Sequence, residues 1–282
     1  MKNILLVLTF FFGFILIACG DKTKPNVGGA TNDTIPEDAI TFEYTRTKKI
    51  VLKGILNDSI PLNIMFDTGF GNVIFLTDSF RRKVGSTGNL RIGKFSKNLL
   101  INIMKRKDIP GMFVKNASIT SWQYFKDKII KISFQYKYIQ VLDSNVITDG
   151  YESIKLNIIQ GCLLTMPVQI HLQGKVLHEN VVIDTGTDGV LFIDNSFVNK
   201  YALNLDSAER FTATTLNGFL NITTIKTDSV GVRKHFIHGK KISFGETKKS
   251  FINADGLLGN GFLEDFNIIL DLRNIVLYLK PY

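Results

Sequence analysis

Hydrophobic residues in this chain fall mainly in short runs, which beyond about Ile40 are rich in Ile, Val, Phe and Leu. Turn-forming pairs separate these runs, for example at Asn57-Asp58, Gln173-Gly174 and Asn217-Gly218. Runs of this kind bounded by turn residues are typical of β-strands and hairpins. Helical periodicity is scarce, so the pattern predicts an all-β protein with a few short helices. The predicted helices are residues 78–83, 195–202 and 261–265.

The first residues depart from this pattern. Lys2 precedes an almost uninterrupted apolar run over residues 4–17, and Ala18, Cys19 and Gly20 follow. The run is shorter than the ~20 residues that cross a bilayer comfortably. A charged start, a short apolar run and a small residue before the cleavage point predict a signal peptide over residues 1–18, with an uncleaved anchor helix as the alternative.

The step into Cys19 resembles the lipobox of bacterial lipoproteins. That resemblance implies cleavage before Cys19, lipidation of its thiol, and a protein held by lipid at the periplasmic or outer-surface face of the cell envelope. Residues 19–40 are mostly polar, with Gly, Thr, Asn, Asp and Pro, and so predict a flexible tether.

An internal repeat gives the organisation of the remainder. Residues 66–80 align without a gap on residues 183–197, and seven of the fifteen positions are identical. The repeat predicts two lobes, 41–165 and 166–282, each of ordinary size for a compact unit.

Each repeat contains the sequence Asp-Thr-Gly directly after an apolar strand, at residues 67–69 and 184–186. Two carboxyl groups held close together cannot both ionise, so Asp67 and Asp184 would share one proton and act as general base and acid toward water and a peptide carbonyl. The hydroxyls of Thr68 and Thr185 are expected to hydrogen-bond across the two loops. Gly69 and Gly186 would avoid crowding around the carboxyls.

These motifs resemble the retropepsin-like aspartic proteases. A third segment, Leu257-Leu258-Gly259, is similar to the hydrophobic-hydrophobic-Gly strand that packs behind the active loop in that family. The resemblance implies a two-lobed pepsin-like or retropepsin-like β-barrel fold with an internal pseudo-two-fold repeat, acting as a monomeric endopeptidase on protein or peptide substrates. It also implies a flap hairpin, for which the candidates are residues 90–99 and 211–224.

The first lobe departs from the family pattern at two points. Phe70 follows the first motif where the family has a small residue, whereas Thr187 fits at the second. Residues 158–161 are only a distorted version of the hydrophobic-hydrophobic-Gly segment. Two alternatives therefore stay open: an inactive lipoprotein that binds extended peptides or envelope proteins, and a homodimer whose active pair comes from two second lobes.

Charge and cysteine content narrow the choice of partners. The net charge of +9 falls to +8 when Lys2 leaves with the signal peptide, and its basic residues are spread along the chain. This net positive charge suits an anionic membrane surface, but the sequence contains no nucleic-acid recognition motif. Once Cys19 is lipidated, only Cys162 is left, so no intramolecular disulfide is expected.

Some segments resemble metal sites only in part. Residues 178–182 begin like a zinc-protease motif but lack its second His, and His235 and His238 have no acidic or Cys partner nearby in sequence. The acidic residues after Asp184 do not fit a calcium loop. Neither a metal nor an organic cofactor is expected.

Overall fold

A computed structural model describes residues 35–71, 73–104, 117–143, 148–215, 218–246 and 254–282. The chain is mostly β, as the pattern of apolar runs predicts. The first ten strands are β1 (Ile40–Tyr44), β2 (Ile50–Leu56), β3 (Ile60–Phe66), β4 (Val73–Thr77), β5 (Thr87–Ile92), β6 (Phe95–Met104), β7 (Ala117–Thr120), β8 (Ile129–Ser133), β9 (Tyr138–Leu142) and β10 (Glu152–Lys155).

The remaining strands belong mainly to a second sheet. They are β11 (Asn157–Ile159), β12 (Leu163–Leu172), β13 (Lys175–Ile183), β14 (Leu191–Asp194), β15 (Glu209–Thr215), β16 (Gly218–Lys226), β17 (Ser229–Val232), β18 (His235–His238), β19 (Lys241–Gly245), β20 (Gly256–Leu258), β21 (Phe266–Asp271) and β22 (Val276–Pro281).

All three predicted helices are present in shortened form. A 3-10 turn covers Asp78–Phe80, α1 covers Ser196–Lys200 and α2 covers Asn260–Leu263. A further 3-10 turn at Trp122–Phe125 was not predicted, because its four residues are too few to show a helical period.

Six strands of the first sheet close into a mixed barrel, in the order β2, β3, β7, β4, β6, β5 and back to β2. The pairs β3–β7 and β4–β6 are parallel, and the other four pairs are antiparallel. Burial alternates along β2, where Ile50, Leu52 and Leu56 are buried between more exposed residues. This period of two is that of a strand with one face on a core.

The first sheet continues beyond the barrel through an antiparallel extension, β1, β9, β8, β21, β22 and β10. The C-terminal hairpin β21–β22 therefore pairs with strands of the first half of the chain, since Ile268 is opposite Ile132 and Leu277 is opposite Ile154. One continuous cluster of buried apolar side chains includes residues of both sheets.

The second sheet is open, in the order β15, β16, β19, β14, β20, β13, β12, β17, β18, with β11 beside β12. Three of its ladders repeat those of the barrel: β13–β20 is parallel like β3–β7, β14–β20 is antiparallel like β4–β7, and β14–β19 is parallel like β4–β6. The sequence repeat is therefore matched by a repeat of strand pairing.

The predicted division into lobes at residues 165 and 166 falls inside β12. The chain passes between the sheets slightly earlier, at Leu156, because β10 belongs to the first sheet and β11 to the second. The predicted signal peptide, Cys19 and most of the predicted tether lie outside the described residues. Within the described ranges, no helix has the length and apolar character needed to span a membrane.

Barrel closure can be tested at Gly54, where β2 approaches β5. A Cβ atom at this position would meet the side chain of Ile64 and lie 2.9 Å from the carbonyl oxygen of Arg91. We expect Gly54→Ala to lower the free energy of unfolding by about 1–3 kcal/mol through overpacking. Urea denaturation measures this. Gly85→Ala is the control, because Gly85 is exposed and a Cβ there has no neighbour nearer than 3.9 Å; equal effects of the two substitutions would contradict the prediction.

Candidate active site

The two Asp-Thr-Gly loops begin where β3 and β13 end. The backbone N–H of Asp67 donates to the carbonyl of Thr120 at 2.9 Å, and that of Asp184 donates to the carbonyl of Leu258 at 2.9 Å. Each aspartate thus follows a strand whose parallel neighbour, β7 or β20, fixes its main chain. Asp67 is 1% exposed and Asp184 is 3% exposed.

Glycine is required at the third position of each loop because each loop packs against the opposite aspartate. A Cβ atom at Gly69 would lie 2.7 Å from Cγ of Asp184, and one at Gly186 would lie 2.5 Å from Cγ of Asp67. Non-bonded carbon atoms do not approach this closely. The absence of both side chains therefore allows the two loops to come together within one chain.

The threonines tie the two loops to each other, as the sequence predicts. Thr68 Oγ1 donates to the carbonyl of Ile183 at 2.7 Å, and Thr185 Oγ1 donates to the carbonyl of Phe66 at 2.8 Å. Each hydroxyl also accepts the backbone N–H of the other threonine at 3.0 Å. Four buried hydrogen bonds therefore cross between loops that are 117 residues apart in the chain.

The carboxyl groups of Asp67 and Asp184 are hydrogen-bonded to each other. Each also accepts a backbone N–H from its own loop, Gly69 to Asp67 Oδ1 at 2.9 Å and Gly186 to Asp184 Oδ1 at 2.8 Å. Burial, as the largest cause, raises the pKa of both side chains. The negative charge of Asp184 raises the pKa of Asp67 further, well above its ordinary value of 3.8.

The surroundings of the two carboxyls differ. Thr187 Oγ1 donates to Asp184 Oδ2 at 2.7 Å, which holds the pKa of Asp184 down against the effect of burial. The corresponding position in the first loop is Phe70, which has no hydroxyl and is fully buried. The Asp184 carboxyl thus accepts one more hydrogen bond within its own loop than Asp67 does, which favours Asp184 as the ionised partner of the pair.

The segment Leu257-Leu258-Gly259 lies directly behind the second loop, in β20 and at the start of α2. Leu257 and Leu258 are buried, and Leu258 is opposite Ile183 in the parallel ladder. A Cβ at Gly259 would lie 2.8 Å from the backbone oxygen of Thr187. Close packing against the loop therefore requires glycine at position 259.

The first loop has an equivalent support that the sequence did not reveal. The distorted match at residues 158–161 is wrong as a counterpart, because Asn157–Ile159 is an edge strand beside β12. The counterpart is β7, in which Thr120 is opposite Phe66 just as Leu258 is opposite Ile183. The hydrophobic-hydrophobic-Gly pattern does not identify β7, because this strand has the sequence Ala-Ser-Ile-Thr and is followed by Ser121 instead of Gly.

The two flap candidates have different outcomes. Residues 90–99 form a hairpin, but β5 pairs with β2, so this hairpin is part of the barrel wall and the prediction of a flap there is wrong. Residues 211–224 lie in the hairpin β15–β16. Its pairing with β19 ends at Ile222, so the outer part of the hairpin extends past the end of β19.

One buried cation beside the aspartates was not predicted. Lys49 is 4% exposed, and its Nζ donates to the carbonyl oxygen of Gly186. Asp188, Asp184 and Asp67 are the carboxyl groups that act on it electrostatically, in that order. A lysine just before a strand is normally exposed, so no local signal in the sequence points to this position.

Neither protein-family models nor curated protein sequences gave a match to this chain. In the part of the chain that the structure describes, no group of three or more His, Cys, Asp or Glu side chains is arranged to hold a metal ion.

The cross-loop ties can be tested at Thr68. Thr68→Val removes the hydroxyl and leaves the buried carbonyl of Ile183 and N–H of Thr185 without their partner. We expect a loss of about 2–4 kcal/mol in the free energy of unfolding. Thr68→Ser keeps the hydroxyl and should cost about 1 kcal/mol for the lost methyl group. Chemical denaturation of both variants measures the difference, and a Ser variant as unstable as the Val variant would refute the role of the hydroxyl.

The raised pKa of Asp67 predicts how stability depends on pH. The folded state favours the protonated carboxyl, so its stabilising contribution is complete below the unfolded pKa and is lost as pH rises through the higher folded pKa. We expect the stability difference between the wild type and Asp67→Asn to fall as pH rises from about 4 to about 8. Urea unfolding at several pH values measures it. The exposed substitution Asp206→Asn should give a constant difference, and a constant difference for Asp67→Asn would refute the assignment.

Proposed function

We propose that this protein is an aspartic endopeptidase that hydrolyses peptide bonds with water activated between Asp67 and Asp184. The observation that carries the proposal is the hydrogen-bonded pair of buried carboxyl groups on two loops tied by Thr68 and Thr185. Two carboxyls in such contact hold one proton between them near neutral pH, which is the state needed for acid and base catalysis together.

In this proposal Asp184 is the general base and Asp67 the general acid. The oxygen of a water molecule adds to the peptide carbonyl carbon while Asp184 takes a proton from that water and Asp67 gives its proton to the carbonyl oxygen. The tetrahedral diol collapses when the amide nitrogen takes the proton from Asp184. The carbon–nitrogen bond then breaks, and a hydroxyl proton returns to Asp67, which restores the starting state.

The family resemblance supplies the wider proposal. The closed barrel and the open sheet would be the two lobes of a retropepsin-like fold, with an extended peptide between them under the hairpin β15–β16. Because both carboxyls are almost fully buried, peptide entry requires a rearrangement around the pair. The protein would act as a monomer, without a cofactor, from a lipid anchor at Cys19 in the cell envelope.

Phe70 favours a second candidate function, an inactive protein that binds extended peptides or envelope proteins. Thr187 donates a hydrogen bond to Asp184, but Phe70 offers no equivalent group to Asp67. The contact between Asp67 and Asp184 within one chain disfavours the homodimer alternative, which would need neither Asp67 nor its loop.

Single Asp→Asn substitutions test the proposed activity. We expect Asp67→Asn and Asp184→Asn each to lower kcat/KM by at least about 100-fold, because each removes one of the two proton-transfer groups. Cleavage of a mixed peptide library between about pH 3 and pH 7, read by mass spectrometry, identifies substrates and gives the rates.

Asp206→Asn is the matched control and should keep wild-type activity, since Asp206 is exposed in a turn after α1. Loss of activity only in Asp184→Asn would favour the homodimer. Peptide binding without cleavage by the wild type at every pH would replace the endopeptidase proposal with the peptide-binding one.

A further inference from the structure

The backbone around Lys49 is held in place by contacts from the second half of the chain. The preceding residue, Lys48, has a positive φ of 53°, which is unfavourable for a residue with a side chain. Two contacts with α2 and its end hold it there: Asn260 Nδ2 donates to the carbonyl of Lys48 at 2.5 Å, and Lys48 Nζ forms an ion pair with Glu264 at 2.5 Å. The direction in which Lys49 enters the protein is therefore set by the second half of the chain.

The side chain of Lys49 reaches across to the second Asp-Thr-Gly loop. Its Nζ donates to the carbonyl of Gly186, whose own N–H donates to Asp184 Oδ1. Burial is the largest cause and lowers the pKa of Lys49, and the negative charges of Asp188, Asp184 and Asp67 oppose that effect in part. In turn, Lys49 lowers the pKa of both Asp184 and Asp67. The amine is thus buried among carboxyl groups and bonded to the loop that carries one of them.

The repeat has no second lysine at the position equivalent to Lys49. Val51 is opposite Met65, two residues before Asp67, and Thr165 is opposite Val182, two residues before Asp184. Counting back two residues from Val51 and from Thr165 makes Leu163 the counterpart of Lys49. Leu163 is buried and packs in an apolar cluster.

Asp188, the acidic neighbour of Lys49, likewise has no acidic counterpart in the repeat. Asp188 is the fourth residue after Asp184, and the fourth residue after Asp67 is Gly71. Lys49 and Asp188 thus have a leucine and a glycine as their counterparts in the repeat. The two similar units therefore differ in charge at these two positions.

We propose that Lys49 is a positioning residue for the aspartate pair: its bond to Gly186 holds the second loop, and its positive charge, buried beside both carboxyl groups, keeps one of the two aspartates ionised. The pair is then held in its singly protonated state before substrate arrives. This inference rests on the proposed function for its catalytic meaning, but the ionisation of the pair can be measured without catalysis.

Among the described residues, the other charged and titratable groups of this corner are Asp188, Tyr44, Glu264, Lys48 and Asp265. Asp188 has the largest electrostatic effect on Lys49 and also acts on Tyr44, whose hydroxyl donates to Glu264 at 2.8 Å. Glu264 is in turn paired with Lys48, and Asp265 acts on Tyr44. Glu264 and Lys48 compensate each other, so the test below concentrates on Lys49 and Asp188.

The test is a titration of the two carboxyl groups by carbon-13 NMR in protein labelled at the aspartate side chains, with resonances assigned from Asp67→Asn and Asp184→Asn. In the wild type the Asp184 resonance should ionise first. Lys49→Met removes the nearby cation, so we expect the first ionisation of the pair to move to higher pH by about one unit. Lys49→Arg keeps the charge and should restore the wild-type titration.

Lys53→Met is the matched control, because Lys53 lies in β2, the strand that directly follows Lys49, but is exposed and bonded to Asn63. It should leave the titration unchanged. Asp188→Asn provides a second variant with the opposite sign: Lys49 then acts without its compensating anion, and the first ionisation should move to lower pH. If Lys49→Met does not fold, Asp188→Asn still tests the inference.

Unshifted titrations in both Lys49→Met and Asp188→Asn, or equal shifts in Lys53→Met, would overturn the inference. If the wild type cleaves peptides, the acid limb of its kcat/KM profile should follow the NMR shift in Lys49→Met. Shifted titrations in a protein that cleaves nothing would refute the proposed activity and leave the role of Lys49 intact. Peptide cleavage with unshifted titrations would refute only the role proposed for Lys49.

Discussion

The exchange of hydrogen bonds between Thr68 and Thr185 is the constraint on which the site depends. Two carboxyl groups buried side by side are unfavourable both because they lose water and because their charges repel. Each threonine bonds to the carbonyl before the opposite aspartate, so neither loop can withdraw without leaving buried polar groups unpaired. The strand β7 bonds to the first loop and β20 to the second, so both sheets support the contact between the loops.

The internal repeat explains both the likeness and the difference of the two loops. The aspartate, threonine and glycine of each motif meet their counterparts, so the repeat has kept them alike. Phe70 and Thr187 occupy equivalent positions directly after the motifs, and there the two units differ. This difference leaves Asp184 with more hydrogen-bond donors in its own loop than Asp67.

Much of this arrangement could be predicted from sequence because the repeat marks it directly. The strand-rich fold, the short helices and the threonine ties all follow from patterns that are local or duplicated. The support of the first loop at Thr120 could not be predicted, because any extended segment can supply a backbone carbonyl. Gly93 marks the turn of a hairpin but not which strand pairs with it, and the burial of Lys49 depends on α2, which lies more than 200 residues away in the chain.

The C-terminal hairpin has a consequence for the order of assembly. β8 and β10 have β21 and β22 as neighbours, and those strands lie more than 100 residues further along the chain. A chain cut before Phe266 would leave β8 as an open sheet edge and β10 without a pairing strand, and such edges promote aggregation. The carbonyl of Leu258, which holds Asp184, lies more than 70 residues after that aspartate. The aspartate pair is therefore completed only after this later segment has been made and has packed behind the second loop.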